Sequence, residues 1–152
     1  MNNLTIPAGF GQLGTLALNK PLSLLNPHTP LTVNDSDNLL EAIALLQECH
    51  IGCAVVVDKN GKLTGMLSER DILMKWVLSD SEAEEVPVIE IMTPNPSYIP
   101  TDEHISTALY MMSKGGFRHL PIVNKEMVPE GIISVKDIMD FISLEFMRNL
   151  VR

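Results

Sequence analysis

A seven-residue stretch that occurs twice constrains the fold of this chain more than any other feature. Residues 65–71 read Gly-Met-Leu-Ser-Glu-Arg-Asp, and residues 131–137 read Gly-Ile-Ile-Ser-Val-Lys-Asp. In both copies the apolar pair suits the end of a buried strand, Ser is a preferred helix N-cap, and Asp suits the first helical turn. Each copy therefore predicts a strand that runs directly into a helix.

The two copies are parts of a longer internal repeat. Residues 21–86 align with residues 87–152 without a gap, and ten aligned positions are identical. Apolar pairs such as Leu39 with Ile105 support the alignment between the identities. A repeat of this length indicates a duplicated structural unit, and it predicts two copies of any site within that unit.

Each repeat predicts the order strand, helix, strand, strand, helix. The short first strands are bounded by prolines, and the first helices are amphipathic patterns with polar start signals and glycine stops. Continuous apolar runs follow as buried strands, Asn60-Gly61 predicts a hairpin turn in the first repeat, and the second helices begin at Ser68 and Ser134. The predicted first strands are 30–33 and 96–99, the start signals 35–37 and 101–103, the stops Gly52 and Gly115-Gly116, and the apolar runs 53–57 and 119–123.

Composition limits the class of protein and its surroundings. The chain has 152 residues, of which 45% are hydrophobic and 20% charged, so it is globular, with one domain or two small repeats that share one core. Its net charge of −8 argues against a nucleic-acid partner or an anionic membrane surface. With no uninterrupted apolar run long enough to span a membrane and no signal-peptide pattern, we expect a cytoplasmic protein. Cys49 and Cys53 fit a reducing compartment.

The sequence divides into four parts. We interpret residues 1–20 as an irregular arm, 21–79 as the first repeat, 80–90 as a solvated acidic linker and 91–152 as the second repeat. From Ile138 to Val151 the apolar residues form a stripe that is wider than one core face requires. This width indicates either a subunit interface on a second face of the last helix or deep burial within one chain.

The Gly-x-x-Ser-x-x-Asp turns have two interpretations. Ser at the N-cap and Asp three residues later form a capping-box-like pattern that stabilises a helix without any ligand. Alternatively, the two helix N-termini offer N–H donors to a phosphate, while Asp71 and Asp137 accept hydrogen bonds from a vicinal diol such as ribose. Gly65 and Gly131 would then let a ligand approach the backbone closely. A ligand with both a phosphate and a diol is a nucleotide.

Several segments, taken together, resemble the tandem CBS (cystathionine β-synthase) domain pair. They are residues 50–58, residues 61–72, residues 116–123, Ile91-Met92-Thr93-Pro94 and both Gly-x-x-Ser-x-x-Asp copies. No one motif is unique, but their order across two repeats is specific, and the resemblance covers about residues 21–150. It implies an α/β (α+β) fold, in which two β-α-β-β-α repeats pack with pseudo-two-fold symmetry into one pair, often called a Bateman module.

The resemblance also implies a site. An adenosine-containing ligand would occupy one or both clefts between the repeats, with Asp71 and Asp137 on ribose hydroxyls and Ser68 and Ser134 on phosphate or ribose. Residues near Thr29-Pro30 and Asn95-Pro96 would lie beside adenine. Such pairs commonly dimerise through helical faces, which agrees with the wide apolar stripe of the last helix.

The two clefts are not equivalent, because Arg118-His119 in the second repeat align with Gly52-Cys53 in the first. Arg118 is interpreted as a bidentate phosphate clamp or as a surface cation, and Arg70 and Lys136 as phosphate contacts or solvated residues. Neighbouring strand residues point to opposite faces, so only one of Arg118 and His119 would enter a given cleft. The candidate nucleotide-binding residues are Thr29, Pro30, Ser68, Arg70, Asp71, Asn95, Pro96, Arg118, His119, Pro121, Ser134, Lys136 and Asp137.

Catalysis and metal binding have no positive support in the sequence. Cys49-His50-x-x-Cys53 has no second ligand pair nearby, whereas a closed zinc site needs four ligands, so packed cysteines and a helix-end His are preferred. The nucleophile-elbow, Walker and His-Glu-x-x-His patterns are all absent. We therefore predict no enzyme, no metal and no required cofactor, the adenine nucleotide being a regulatory ligand.

Two functions of different classes remain for the chain. The first is a stand-alone, bacterial-type regulatory protein that senses nucleotides of the AMP, ADP and ATP class and signals through a homodimer or a separate effector protein. The second is a structural dimerisation module whose clefts hold no nucleotide. An enzyme that acts on a nucleotide is a third hypothesis, with the least support.

Overall fold

The structure is a computed structural model, and it describes residues 15–150, with side chains described as far as residue 148. Most of the predicted N-terminal arm therefore lies outside the described residues. Within the part that is described, residues 15–18 form a helical turn rather than an irregular segment. A short 3-10 helix over Leu22–Leu25 follows.

The predicted order of elements appears twice, which confirms the mixed α/β fold. The first repeat contains β1 Thr32–Asn34, α1 Leu39–Cys49, β2 Cys53–Val57, β3 Leu63–Ser68 and α2 Glu69–Lys75. α3 Val88–Ile91 and β4 Thr93–Pro94 follow, and the same order then recurs in the second repeat as β5 Ile99–Pro100, α4 Ile105–Gly115, β6 His119–Val123, β7 Pro129–Ser134 and α5 Val135–Leu150. The bounds of β2 and β6 are the predicted ones, since each is one continuous apolar run.

The first helices and strands differ in detail from the prediction. The side chain of Asn38, not an acidic residue of 35–37, caps α1 by accepting from the Glu41 amide, and α1 ends at His50, whose φ is 53°, rather than at Gly52. His104 precedes α4 without a side-chain cap. Both short strands begin two or three residues later than predicted, because only residues beside β2 or β6 complete a ladder.

Each repeat builds one sheet with the same local topology. The strand orders are β1-β2-β3-β4 and β5-β6-β7, in which the first pair of each repeat is parallel and the second antiparallel. The register shifts between Val56 and Val57, and again between Ile122 and Val123, which are the aligned positions of the second repeat. The internal repeat of the sequence is therefore also a repeat of backbone geometry.

The segment that enters each repeat pairs with the last strand of the other repeat. Strand β4 joins β3 in antiparallel register, with Pro94 opposite Gly65 and Thr93 opposite Met66. On the other side His28 bridges Ile132 of β7, exchanging backbone hydrogen bonds of 3.1 and 3.0 Å. The two repeats are thus joined at two pseudo-equivalent places, each next to a Ser-x-x-Asp turn.

The hydrophobic core consists of two clusters, and each combines residues of one repeat with the segment that enters the other. Val88 and Ile91, which precede β5, pack with Leu39 and Leu67 of the first repeat. Leu22 and Leu25, which precede β1, pack instead with residues of the second repeat, such as Ile105. The proposed division of the chain at residues 21–79 and 91–152 stays a prediction, but each core includes residues from both sides of it.

Residues 80–90, predicted to be a solvated acidic linker, contribute to both surface and core. Their acidic side chains are exposed, whereas Ala83, Val86 and Val88 are buried in the first cluster. The Leu39 amide donates to the Val86 carbonyl oxygen at 2.8 Å. The interpretation as a solvated segment is therefore wrong for these three apolar residues.

The wide apolar stripe of the last helix divides into two faces. Ile138 is fully buried and Phe141 packs against the second cluster, whereas Met139, Leu144 and Met147 are each about 60% exposed. The alternative of deep burial within one chain is therefore wrong for these three side chains. Between residues 15 and 150, no helix is long and apolar enough to cross a membrane.

Candidate functional site

The turn between β3 and α2 is closed by a reciprocal cap. The Ser68 hydroxyl accepts from the Asp71 amide at 3.2 Å, and Asp71 Oδ2 accepts from the Ser68 amide at 3.0 Å and from the Ser68 hydroxyl at 2.6 Å. This is the capping box that the spacing of Ser and Asp predicts. The cap directs the second carboxylate oxygen of Asp71 away from the turn.

That second oxygen of Asp71 has two partners from outside the turn. Lys75 Nζ donates to Asp71 Oδ1 at 2.9 Å, and Thr93 Oγ1 of the entering strand β4 donates to the same oxygen at 2.9 Å. Partial burial alone would raise the pKa of Asp71, but the hydrogen bonds from Ser68, Lys75 and Thr93 outweigh it and hold the pKa below its usual range. Asp71 is therefore a charged and well-satisfied acceptor.

The turn between β7 and α5 repeats the cap with different surroundings. Asp137 Oδ2 accepts from the Ser134 amide at 2.7 Å and from the Ser134 hydroxyl at 2.8 Å, and the hydroxyl accepts from the Asp137 amide at 3.2 Å. The outer oxygen Oδ1 lies 3.2 Å from His28 Nε2. Burial again opposes ionisation of Asp137, and hydrogen bonds from Ser134 and His28 lower its pKa nonetheless.

The two turn glycines lie against the entering segment of the other repeat. A Cβ at Gly65 would lie 2.3 Å from Met92 Sδ and 3.1 Å from the Thr93 carbonyl oxygen, and one at Gly131 would lie 3.0 Å from Pro27 Cβ. The entering segments therefore make a close approach at both glycines, and the approach of a ligand to the same backbone stays a prediction.

Strand β6 supplies the features that distinguish the second repeat. His119 pairs with Ser134 of β7, and burial followed by the positive charge of Arg118 lowers its pKa, while the Asp137 carboxylate acts in the opposite direction. Pro121 is buried opposite Ile132. His119 therefore borders the Asp137 cleft as an imidazole that favours the neutral form.

Arg118 is exposed, and its positive charge also affects the pKa of a cysteine in the first repeat. Burial, and then the charge of Glu69, raise the pKa of Cys53 to about 11, and the guanidinium of Arg118 opposes this shift. The guanidinium is thus close enough to influence a residue of β2 in the first repeat. This position suits a cation that reaches a ligand between the repeats, and its role as a phosphate clamp stays a prediction.

The exchange of entering segments assigns the remaining candidates to clefts. Thr29 and Pro30 follow His28, which contacts Asp137, while Asn95 and Pro96 follow β4 and so adjoin the Asp71 turn. Each Asp turn therefore lies beside an entering segment of the other repeat, and the placement of these four residues against a ligand stays a prediction. Arg70 is exposed, and Lys136 is exposed and paired with Asp140, so their assignment to phosphate stays a prediction.

Three residues that contact the two Asp side chains were not among the predicted site residues. They are His28, Lys75 and Thr93. Lys75 stands four positions after Asp71 on a predicted helix, a spacing that favours an ion pair, so the sequence held a signal for it. Thr93 and His28 become partners through tertiary pairing across 22 and 109 residues, for which the sequence gives no local signal.

The described part of the chain offers no alternative metal centre. Among residues 15–150, no group of three or more His, Cys, Asp or Glu side chains is arranged to hold a metal ion. Cys49 is exposed and Cys53 is buried, and both are free thiols.

Known proteins match this chain over most of its length. A family model described as CBS domain matches residues 25–77 and 88–144. The chain is 38% identical over 99 residues to the CBS domain-containing protein CBSCBSPB5 of Arabidopsis thaliana, and this match covers 64% of the chain and 18% of that protein. The chain therefore spans less than a fifth of that curated relative.

Solved structures share the arrangement of the two repeats. The cytosolic domain of the Mg²⁺ channel MgtE in complex with ATP is 28% identical, with a TM-score of 0.63, covering 73% of this chain and 44% of that one. The CBS domain pair of protein MJ0100, in complex with 5′-methylthioadenosine and S-adenosyl-L-methionine, is 24% identical, with a TM-score of 0.73 and coverages of 83% and 98%. Because the second structure is only 24% identical to this chain, its similarity shows a shared fold and nothing further.

Proposed function

The chain belongs to the CBS domain family, and from this membership we propose that it is a regulatory module that binds an adenosine-containing ligand between its two repeats. The observation that carries the proposal is the composition of each cleft from both repeats. Asp71 contacts Thr93, and Asp137 contacts His28, so a ligand on either carboxylate bridges the two halves of the chain.

A nucleoside suits the groups at the Asp137 cleft. The lowered pKa of Asp137 keeps its carboxylate ionised at neutral pH despite partial burial, and an ionised carboxylate accepts hydrogen bonds from both hydroxyls of a ribose. The N-terminus of α5, which has 16 residues, offers the positive end of its dipole to a phosphate, and Arg118 supplies a cation nearby. The ATP complex of MgtE supports the same ligand class in a related pair.

Ligand binding would act as a signal by changing how the repeats are held. Because each cleft has walls from both repeats, a ligand stabilises one relative placement over others, provided that its affinity for the placements differs. The output would pass to a separate effector or to another copy of the chain. This mechanism assigns no catalytic residue, and it needs no cofactor besides the nucleotide.

The exposed apolar surface on and near α2 and α5 favours a second copy of the chain as the partner. Leu73 and Leu78 near α2 are 60% and 95% exposed, and Met139 and Leu144, which align with them and lie on α5, are 61% and 59% exposed. Large apolar side chains exposed at equivalent positions of both repeats are typical of an interface. We propose that two copies associate through this surface, which we call the α2/α5 face.

Calorimetric titration with AMP, ADP, ATP, NAD and S-adenosylmethionine tests the ligand class. We expect at least one of them to bind, and we expect Asp137→Ala to lower its affinity by about 10- to 100-fold because the ribose loses hydrogen bonds to a charged acceptor. Circular dichroism and thermal unfolding of the variant control for the fold. Absence of heat with all five compounds would remove the nucleotide from the proposal.

A structural interaction module without a nucleotide is the second candidate. The observation in its favour is that the Asp71 carboxylate is already satisfied by Ser68, Lys75 and Thr93. Under this function neither the wild-type chain nor Asp137→Ala binds any of the five compounds, and the dimer forms equally with and without them. The two candidates therefore differ in whether the wild-type chain binds a nucleotide, and equal affinity in wild type and Asp137→Ala would point to another site.

A further inference from the structure

The two clefts differ in how fully their carboxylates are occupied by the chain itself. An ionised carboxylate has about four acceptor positions. Asp71 receives hydrogen bonds from the Ser68 amide, the Ser68 hydroxyl, Lys75 and Thr93, which use all of them. Asp137 receives two from Ser134 and one from His28, so one position is left for an incoming donor.

Lys75 is held firmly in its place beside Asp71. Its ammonium also donates to the Ile91 carbonyl oxygen at 2.8 Å and to the Met92 carbonyl oxygen at 3.1 Å. An ammonium has three donors, and all three are therefore used. Removing Lys75 from Asp71 would break the contacts that join α2 to the end of α3, so a ligand competes poorly for this oxygen.

The equivalent of Lys75 in the second repeat cannot close the cleft. The aligned position is Phe141, which has no donor and packs against the second cluster, with Lys20 Nζ 5.6 Å from its ring centre. The equivalent of Thr93 is Pro27, which also lacks a side-chain donor. The partner of Asp137 Oδ1 is instead His28, whose side chain is 71% exposed and makes one hydrogen bond of 3.2 Å there.

We propose that the chain is a one-site sensor, in which the Asp137 cleft takes the ribose diol and Lys75 with Thr93 keeps the Asp71 cleft closed. His28 is the group that a ribose hydroxyl displaces at Asp137, since it is exposed and weakly held. Lys75 is then the residue that determines specificity between the two clefts. This inference rests on the proposed function and adds which cleft carries it.

Counting bound ligands per chain tests the assignment. With AMP, and separately with ATP, we expect calorimetry to give one site per wild-type chain, because a cleft about 100-fold weaker is not filled at a few times the first Kd. Lys75→Met removes the ammonium and keeps an unbranched side chain, and we expect it to give two sites. Lys114→Met, a matched change of an exposed lysine on α4, should keep one site.

Variants at Asp137 locate the site. At ligand concentrations of a few times the wild-type Kd, we expect Asp137→Ala to have no filled site, because its affinity is lowered, and we expect the double variant Lys75→Met, Asp137→Ala to regain one in the other cleft. Thermal unfolding checks that Lys75→Met is folded. If it is not, the numbers of ligand sites on the wild-type and Asp137→Ala chains still test the assignment.

Each contrary result separates this inference from the proposed function. Two ligands on the wild-type chain, or one ligand retained in Asp137→Ala, would overturn the one-site assignment and leave the nucleotide function standing. A weaker single site in Lys75→Met would show that Lys75 binds the ligand, and would overturn its role as a closure. No binding to any of these proteins would overturn both.

Discussion

Asp71 and Asp137 show that one motif can build two sites of different character. Both carboxylates cap a helix through the preceding Ser, as the spacing predicts. Their outer oxygens differ, because Lys75 and Thr93 bind one and His28 the other. The chemistry of each turn is therefore decided by the third and fourth partners, which the motif does not contain.

The lowered pKa of Asp71 predicts a loss of stability in acid. A carboxyl whose pKa is lower in the folded state contributes stability that is fully present above its unfolded pKa of about 3.9 and is lost as the pH falls through the folded value. We expect the free energy of unfolding in urea to decrease as the pH falls below about 5, and to decrease less in Asp71→Asn. Asp80→Asn, in the exposed acidic segment, is the control and should keep the wild-type dependence.

The two thiols should differ sharply in reactivity. Cys49 is exposed, whereas burial raises the pKa of Cys53 to about 11, so Cys53 has little thiolate at neutral pH. With a disulfide reagent near neutral pH we expect one thiol per chain to react quickly and the second only after unfolding in urea. Cys49→Ser should have no fast thiol. A rapid reaction in that variant would contradict the burial of β2.

Among the secondary-structure elements, the short entering segments hold the repeats together. The 3-10 helix Leu22–Leu25 packs in the core of the second repeat, and the Leu22 amide donates to the Glu103 carbonyl oxygen at 3.0 Å. Helix α3 and strand β4 do the same for the first repeat. Each half of the chain thus completes the core of the other.

Leu22→Ala should destabilise the second repeat although Leu22 belongs to the first repeat in the sequence. Leu22 is 1% exposed, and truncation of a buried leucine costs about 2–5 kcal/mol in the free energy of unfolding. Leu24→Ala, whose side chain is 47% exposed, should cost less than about 0.5 kcal/mol. Hydrogen exchange adds a local readout, because the Ile105 amide donates to the Lys20 carbonyl oxygen, and its protection should fall in the Leu22 variant alone.

The molecule as a whole is a pseudo-symmetric pair of repeats in which the Asp71 and Asp137 carboxylates have different partners. The two Asp turns lie where the repeats exchange segments, and the α2/α5 face presents apolar side chains of both repeats. On the proposed one-site assignment, the pair would be asymmetric in ligand binding although its exposed apolar positions are equivalent. A single ligand would then influence a two-fold interface from one side of each chain.

The α2/α5 face predicts a charge-sensitive dimer. We expect light scattering to give the mass of two wild-type chains, and of one chain for the double variant Leu73→Glu, Met139→Glu, because burying an unpaired carboxylate at an interface costs several kcal/mol. Tyr98→Glu, an exposed residue before β5, should leave the dimer intact. An unchanged mass in the double variant would place the interface elsewhere.

Local spacing accounts for what could be predicted of this protein. The apolar runs 53–57 and 119–123, the caps at Ser68 and Ser134 and the duplicated order of elements depend on neighbours within a few residues, and all are present. The family followed from the same motifs in their order. The end of α1 at His50 was not predicted, because a left-handed residue other than glycine has no strong local signal.

Long-range packing settled the rest. The choice of which repeat each entering segment joins depends on burying apolar residues in two cores at once, and the partners Thr93 and His28 reach the carboxylates only through that pairing. The alignment shows that Phe141 stands at the position of Lys75 in the other repeat. Only the structure shows that Lys75 donates to Asp71 whereas Phe141 packs against the second cluster. The motif thus specified two equivalent turns, and the packing around them gave their outer carboxylate oxygens different partners.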